Sequence, residues 1–370
     1  MTVSINDGAD RQRQIHQGEG FVRGFGFGGA IAFWSACAVL ITAAFIGPAS
    51  AYASSAPPEG PWLAFPVMHK LWPASYSIKG MAADGSGRVV IKQGSLRGIA
   101  PNPFSTVSWS PDGAWLVFAG FKGSRKGIYE LRPDGTGMRF LRGTEGGRNP
   151  ILSPDGRKLA FVRDNFKTGA TTTWVADADG RKAVRLTPRQ NGIEYLPSSF
   201  SPDGSVLAVT RKDLRSNSSR VLLYGLGGPP RVRVLARRAS EAVFSPDGLQ
   251  IALVRQTVAR HHKVSVVVNK DLYVMSADGS SNEPVAPTPR LAETHPSWDP
   301  SGQRIAFNSY HISKNPVEEF FNELLPIGNS IMEVNADGSC KQKVLSLRKG
   351  ALRGPAWRPG QGRAAGRIEC

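Results

Sequence analysis

Short apolar runs alternate with tight polar turns along most of this chain, and the alternation repeats. Five segments share one pattern, in which an apolar stretch enters a turn and a second apolar stretch leaves it. They are Val107–Phe118, Pro150–Phe161, Ser198–Val209, Ala242–Leu253 and Pro296–Phe307, with a truncated copy at Pro355–Gly360. Successive turns lie 43, 48, 44, 54 and 59 residues apart. In Ser110-Pro111-Asp112-Gly113, proline presets φ at the second turn position. Aspartate accepts hydrogen bonds from nearby N–H groups, and glycine takes the left-handed conformation. This predicts a type I turn with a glycine bulge joining two strands. The flanks agree: Leu116-Val117-Phe118, Leu159-Ala160-Phe161, Leu207-Ala208-Val209, Ile251-Ala252-Leu253 and Ile305-Ala306-Phe307 are short, apolar and rich in strand formers. Their small central residues suit close packing between neighbouring sheets.

A third strand and a second turn follow each hairpin. Ile128–Leu131 runs into Pro133-Asp134-Gly135, Trp174–Ala176 into Ala178-Asp179-Gly180, Leu272–Met275 into Ala277-Asp278-Gly279, and Ile331–Val334 into Ala336-Asp337-Gly338. The third repeat departs, with Gly225–Pro230 after Val221–Tyr224. A fourth strand completes each unit, for example Met138–Leu141. Four antiparallel strands at a period in the forties are the signature of propeller blades. The last repeat stops after one strand, at Trp357. Its missing partners stand at the other end of the chain, as Trp62–Phe65, Tyr76–Met81 with Ala83-Asp84-Gly85, and Arg88–Lys92. The predicted fold is therefore all-β, a six-bladed propeller of four-stranded antiparallel blades. One C-terminal strand plus three N-terminal strands would close it, which removes two exposed sheet edges. The domain boundaries follow: 1–53 as a leader, 54–61 as a linker, 62–360 as the propeller and 361–370 as a tail.

The repeats resemble the WD40-like PD40 repeats of the TolB β-propeller family. The residues that carry the resemblance are the Ser-Pro-Asp-Gly turns at 110–113, 153–156, 201–204 and 245–248, the variant at 299–302, and the Ala-Asp-Gly turns at 83–85, 178–180, 277–279 and 336–338. The resemblance covers roughly residues 62–360 and implies fold far more than function, because this architecture hosts many unrelated activities. TolB carries an α/β domain before its propeller. About fifteen residues separate the hydrophobic segment from the first strand here, so that domain is expected to be lacking.

Residues Phe25–Ile46 are apolar and uncharged, follow Arg11, Arg13 and Arg23, and precede Ala-x-Ala sites at 49–51 and 51–53. They read as a secretory signal peptide, or as an uncleaved anchor attaching the chain through residues 25–46. Either reading puts the propeller outside the cytoplasm, in a secreted, periplasmic or cell-envelope location. The net charge of +17 belongs to the part after the leader, because residues 1–53 hold three arginines and three acids. A basic exported surface favours anionic neighbours such as envelope polymers, lipid head groups or acidic proteins, and makes nucleic acid a poor candidate. Cys340 and Cys370 follow the leader, and the sequence leaves their pairing open.

In a four-stranded meander the two turn families share one face, so the opposite face holds the variable connections. Gln256–Asp271 is a basic insertion with His261, His262 and Lys263. Ser309–Ser330 is another, where Pro316 can open a helix that puts Phe320 and Phe321 on one side. These insertions are the expected partner-binding segments. Arg148, Asn149, Glu194, Glu241, Thr294, His295 and Arg353 stand just before the innermost strands. They should ring the channel mouth as a mixed polar set suited to a peptide terminus, a sugar or a carboxylate.

No Gly-x-Ser-x-Gly elbow, His-Glu-x-x-His pair, phosphate loop or dinucleotide fingerprint occurs. No catalytic residue, metal site or cofactor is assigned. The expected function is a non-catalytic, extracytoplasmic scaffold that binds a protein, a peptide or an anionic envelope polymer. The alternative is a metal-assisted lyase or hydrolase acting on an anionic carbohydrate, with His295, Glu194 and Glu241 as ligands.

Overall fold

The repeated turns close through their own side chains. Gly113, at φ 66°, donates its N–H to Ser110 O (2.8 Å). Asp112 Oδ1 accepts from Ser110 Oγ (2.5 Å) and from Ala114 N (3.0 Å), and Ser110 Oγ accepts from Trp115 N (2.9 Å). The serine is thus as much a part of the turn as the proline and glycine. The fifth copy exchanges the roles. There Asp299 Oδ1 takes the N–H groups of Gln303 and Arg304 (both 2.8 Å), while Ser301 Oγ donates to Asp299 Oδ2 (2.5 Å).

The computed structural model describes residues 62–70, 75–94, 100–102, 105–165, 167–228, 231–261, 264–285, 287–312, 329–347, 351–359 and 366–370. The leader, the linker, His262, Lys263, Phe320, Phe321 and the expected helix after Pro316 lie outside these residues. Every regular element among the described residues is a strand. The first sheet contains β1 (Trp62–Lys70), β2 (Ser75–Ala82) and β3 (Val89–Gln93). The second contains β4 (Ala100–Pro101), β5 (Val107–Trp109), β6 (Leu116–Lys122), β7 (Arg125–Leu131) and β8 (Arg139–Phe140). The third joins two antiparallel meanders. One is β9 (Gly147–Leu152), β10 (Lys158–Asn165), β11 (Ala170–Asp177) and β12 (Val184–Arg185). The other is β13 (Ile193–Phe200), β14 (Val206–Asp213), β15 (Ser218–Gly225) and β16 (Val232–Arg237). A single parallel bridge, Thr171 to Glu194, links them.

The fourth sheet repeats the arrangement. Its meanders are β17 (Ala239–Phe244), β18 (Gln250–His261), β19 (Val264–Ser276) and β20 (Asn282–Pro284), then β21 (Leu291–Trp298), β22 (Arg304–His311), β23 (Ser330–Asn335) and β24 (Gln342–Ser346). The last strands, β25 (Ala351–Leu352) and β26 (Ala356–Trp357), return to the first sheet and pair with β1. Val67 lies opposite Leu352, and Leu63 opposite Trp357.

Packing follows the alternation within each second strand. Leu159 and Phe161 join one buried cluster with Val117 and Ile128, whereas Ala160 joins the next with Leu207 and Leu222. Each such strand is therefore buried on both faces. Among the described residues, six clusters lie between successive groups of strands. One of them joins Ala306, Ile331 and Leu345 to Leu63, Phe65 and Met81, bringing the late strands against the first. On the other side of β1, Trp62 meets Trp109 edge-on (5.0 Å, 76°) and Arg358 lies 5.2 Å over its ring.

Two features depart from the reading of the sequence. The insertion Gln256–Asp271 continues the ladder of β18 and β19, with Gln256 opposite Lys270 and His261 opposite Val264. Its run of valines fits a pleated strand better than an irregular loop. The segment 366–370 is docked. Ile368 N donates to Asn335 Oδ1 (2.7 Å), Asn335 Nδ2 returns a bond to Ile368 O (3.0 Å), and Arg304 donates to the carbonyls of Gly366 and Arg367. A disulfide joins Cys340 to Cys370 across a Cα separation of 5.1 Å. Behind Arg304 stands Glu333, fully buried, with Nη1–Oε2 at 3.4 Å.

Two outcomes follow from this packing. Trp62→Ala should cost about 3–5 kcal/mol in a denaturant titration, because it empties the contact between β1 and β5. Burial pushes the Glu333 carboxyl from 4.5 up to about 7, against the pull of Arg304. The folded state then holds a proton that the unfolded state has released. Stability should fall as pH rises from 4.5 to about 7 and level off above. Glu333→Gln should flatten that slope in thermal melts taken across the range.

Candidate functional site

Apart from the single parallel bridges Thr171–Glu194 and Lys270–Ala292, an innermost strand has its ladder partner on one side, so side chains satisfy much of its other edge. Serines do much of this. Leu152 N donates to Ser108 Oγ (3.2 Å), Phe244 N to Ser199 Oγ (3.0 Å) and Trp357 N to Ser297 Oγ (3.3 Å). Two indoles add to the lacing, with Trp109 Nε1 donating to Ala356 O (3.1 Å) and Trp298 Nε1 to Val243 O (3.0 Å).

The same strands are bulged. The register slips between Arg148 and Ile151, between Pro197 and Ser199, between Ser240 and Val243, and between Thr294 and Ser297. Asn149, Glu241 and His295 sit in these bulges at φ 51°, 56° and 55°. None is a glycine, so each stores backbone strain of the kind that concentrates at binding sites. The bulges turn Asn149, Ser198, Glu241, His295 and Gly354 toward one cavity of about 410 Å³, lined by β5, β9, β13, β17, β21 and β26. A Cβ on Gly354 would stand 3.0 Å from Thr106 Cγ2 and 3.4 Å from His295 Cβ.

Neighbouring bulges hold one another. Asn149 N donates to Ser105 Oγ (2.8 Å), Glu241 N to Thr210 Oγ1 (2.9 Å) and His295 N to Glu241 Oε2 (2.5 Å). Burial holds the His295 pKa below the ordinary histidine value. Glu241 opposes this, and the charges of Arg353 and Lys270 reinforce it. The imidazole is therefore neutral at pH 7. Among the described residues, four of those lining the cavity carry a buried polar atom with no hydrogen-bond partner: Asn149 Oδ1, Ser219 Oγ, His295 Nδ1 and Trp357 Nε1.

Of the seven residues expected at the mouth, Asn149, Glu194, Glu241 and His295 line this cavity. The other three are placed differently. Arg148 grips Asp164 in a fork, Nε–Oδ2 2.7 Å and Nη2–Oδ1 2.9 Å, and Thr171 Oγ1 donates to the same carboxylate (2.7 Å). Burial raises the Asp164 pKa, but Arg148 and Thr171 bring it below the usual carboxylate value. Thr294 is buried in the ladder opposite Asn308. Arg353 donates its backbone N–H to Pro66 O (3.2 Å) and acts on His295 through its charge. His261 ends β18. Lys212, Lys270, Gln256 and Trp357 also line the cavity. For Lys212, Lys270 and Gln256 the one signal in the sequence is that polar residues flank the apolar runs of the second and third strands, whereas Trp357 stands on the truncated last repeat. Among the described residues, no three of His, Cys, Asp and Glu gather as metal ligands would.

The sequence matches no family model. It is 27% identical over 161 residues to the Tol-Pal system protein TolB of Francisella tularensis, covering 42% of this chain and 36% of that protein. Among solved structures it resembles TolB from Acinetobacter baumannii, with a TM-score of 0.60 and 22% identity over 80% of this chain and 66% of the other. Its fold is that of a TolB-like propeller. A putative TolB from Agrobacterium tumefaciens gives a TM-score of 0.54 at 17% identity, over 79% of this chain and 91% of that one. The TolB-like chain spans little more than a third of the length of the curated TolB proteins it matches.

Glu241 is the one carboxylate that favours the charged imidazole. Glu241→Gln should therefore lower the His295 pKa further, read from the imidazole proton shifts in an NMR titration.

Proposed function

We propose that this TolB-like chain is an exported, non-catalytic six-bladed propeller, closed by β25 and β26 against β1, that binds a protein or peptide partner in its central channel. The carrying observation is the bulged wall of the cavity, where strained Asn149, Glu241 and His295 stand among polar and charged lining residues. The lining residues Ser198, Glu194 and Gln256 carry hydrogen-bond donors and acceptors, and a peptide backbone offers the complement of both. The charges on the wall are of both signs, Glu194 and Glu241 against Lys212 and Lys270. A polyanion entering the channel would meet the two glutamates, so the mixed wall favours peptide over anionic polymer at this site.

The Cys340–Cys370 disulfide supports an oxidising, extracytoplasmic location. Likeness to a protein named for the Tol-Pal system supports a place in the cell envelope. Export through residues 1–53, by a cleaved signal or a retained anchor, belongs to this reading.

A photo-crosslinking residue at Ser198, inside the channel, should capture a discrete envelope protein. The same residue at exposed Leu249 should not. Adducts from Leu249 alone would refute channel binding. Glu241→Lys should weaken the captured partner at least tenfold in a titration, about 1.4 kcal/mol.

A further inference from the structure

One row of residues across the sheet β13–β16 has a composition that the fold does not explain. Tyr195 lies opposite Arg211, Arg211 opposite Arg220, and Arg220 opposite Arg237. Directly opposed residues project from the same face, and adjacent strands are spaced about 4.8 Å apart. Three guanidinium groups therefore leave one sheet face within roughly 10 Å of one another. Like charges in direct opposition across a ladder are destabilising. Among the described residues none of the three forms an ion pair or a side-chain hydrogen bond. The one carboxylate that acts on the row electrostatically is Asp213, and its Oδ1 is already engaged by the N–H groups of Arg215 and Ser216 (3.0 and 3.2 Å).

The surroundings of the row are apolar and open. The next residues on that face of β16 are Val234, opposite Leu222, and Val232, opposite Tyr224. They are 46% and 49% exposed, although Leu222 and Tyr224 belong to the buried cluster between the two meanders. Across that cluster Val184, opposite Val175, is 62% exposed. Three uncovered valines thus rim the outer edge of one interface, beside three uncompensated cations.

We propose that Arg211, Arg220 and Arg237 form an oxyanion site for phosphate, and that the phosphate is carried on an anionic phospholipid whose apolar body meets Val184, Val232 and Val234. Arginine forks match the oxygens of a phosphate in paired hydrogen bonds. An anion in the row relieves the repulsion among the three side chains. The site lies on a sheet face outside the channel wall and does not depend on what the channel binds.

The test compares full-length protein with Arg211→Gln/Arg220→Gln and with a control, Arg157→Gln/Arg181→Gln, which removes two exposed arginines far from the row. The readout is sedimentation with phosphatidylglycerol vesicles divided by sedimentation with phosphatidylcholine vesicles. That ratio cancels any contribution from residues 25–46. The row variant should lose about fivefold per arginine, roughly 25-fold in all, while the control loses far less. Inorganic phosphate, at constant ionic strength, should raise the melting temperature of the parent and leave that of the row variant unchanged. Without phosphate the row variant should melt no lower than the parent, which separates loss of a site from loss of folding. Equal losses in row variant and control would overturn the proposal in favour of diffuse charge. A phosphate-dependent melt with an unchanged vesicle ratio would overturn the lipid as the source of the anion. No response in either measurement would overturn the site.

Discussion

Each sheet of this protein has an inner strand whose free edge points at a common cavity. Its N–H and C=O groups cannot be left unpaired in a buried place. The chain meets this constraint with serine and threonine hydroxyls and two indole N–H groups, each reaching from one strand to the backbone of its neighbour. The lacing continues through the bulges, at Asn149 N and Glu241 N, and these bulged residues also line the cavity. Satisfying the inner edge and shaping the cavity wall are thus the same local event. The strain at Asn149, Glu241 and His295 accompanies it, held in place by bonds from the adjacent strand.

Much of the fold was legible because its signals are local. Ser-Pro-Asp-Gly encodes a turn within four residues, and the apolar triplets after it state which strand is buried on both faces. The return of the last strands to β1 was legible for a different reason. A repeat broken after one strand at Trp357 needs partners, and Trp62–Lys92 supplied a matching fragment. The site was legible only in part. Asn149, Glu241 and His295 stood out as polar residues before an inner strand. Arg148 and Thr294 shared that position but face into the sheets, since a bulge shifts the alternation by one residue and sequence does not reveal where the slip occurs. Lys212 and Lys270 were missed because they flank the apolar runs of the second and third strands, on stretches of β14 and β19 that meet the cavity only in three dimensions.

Charge is organised at two levels that composition alone does not separate. Arg148 and Arg304 are taken up by buried carboxylates and serve packing, and Arg304 also binds the carbonyls of the docked segment 366–370. Arg211, Arg220 and Arg237 have no such duty. Their alignment emerges only after the two hairpin registers of β14–β15 and β15–β16 are known.

Gly354 carries a last consequence. Its single hydrogen sits where a methyl group would press against Thr106 on one side and His295 on the other. How closely residue 354 approaches Thr106 and His295 is therefore set by an atom the chain omits. Alanine there would have to push Thr106 aside, and the last strands would lose their present spacing from the loop before β5.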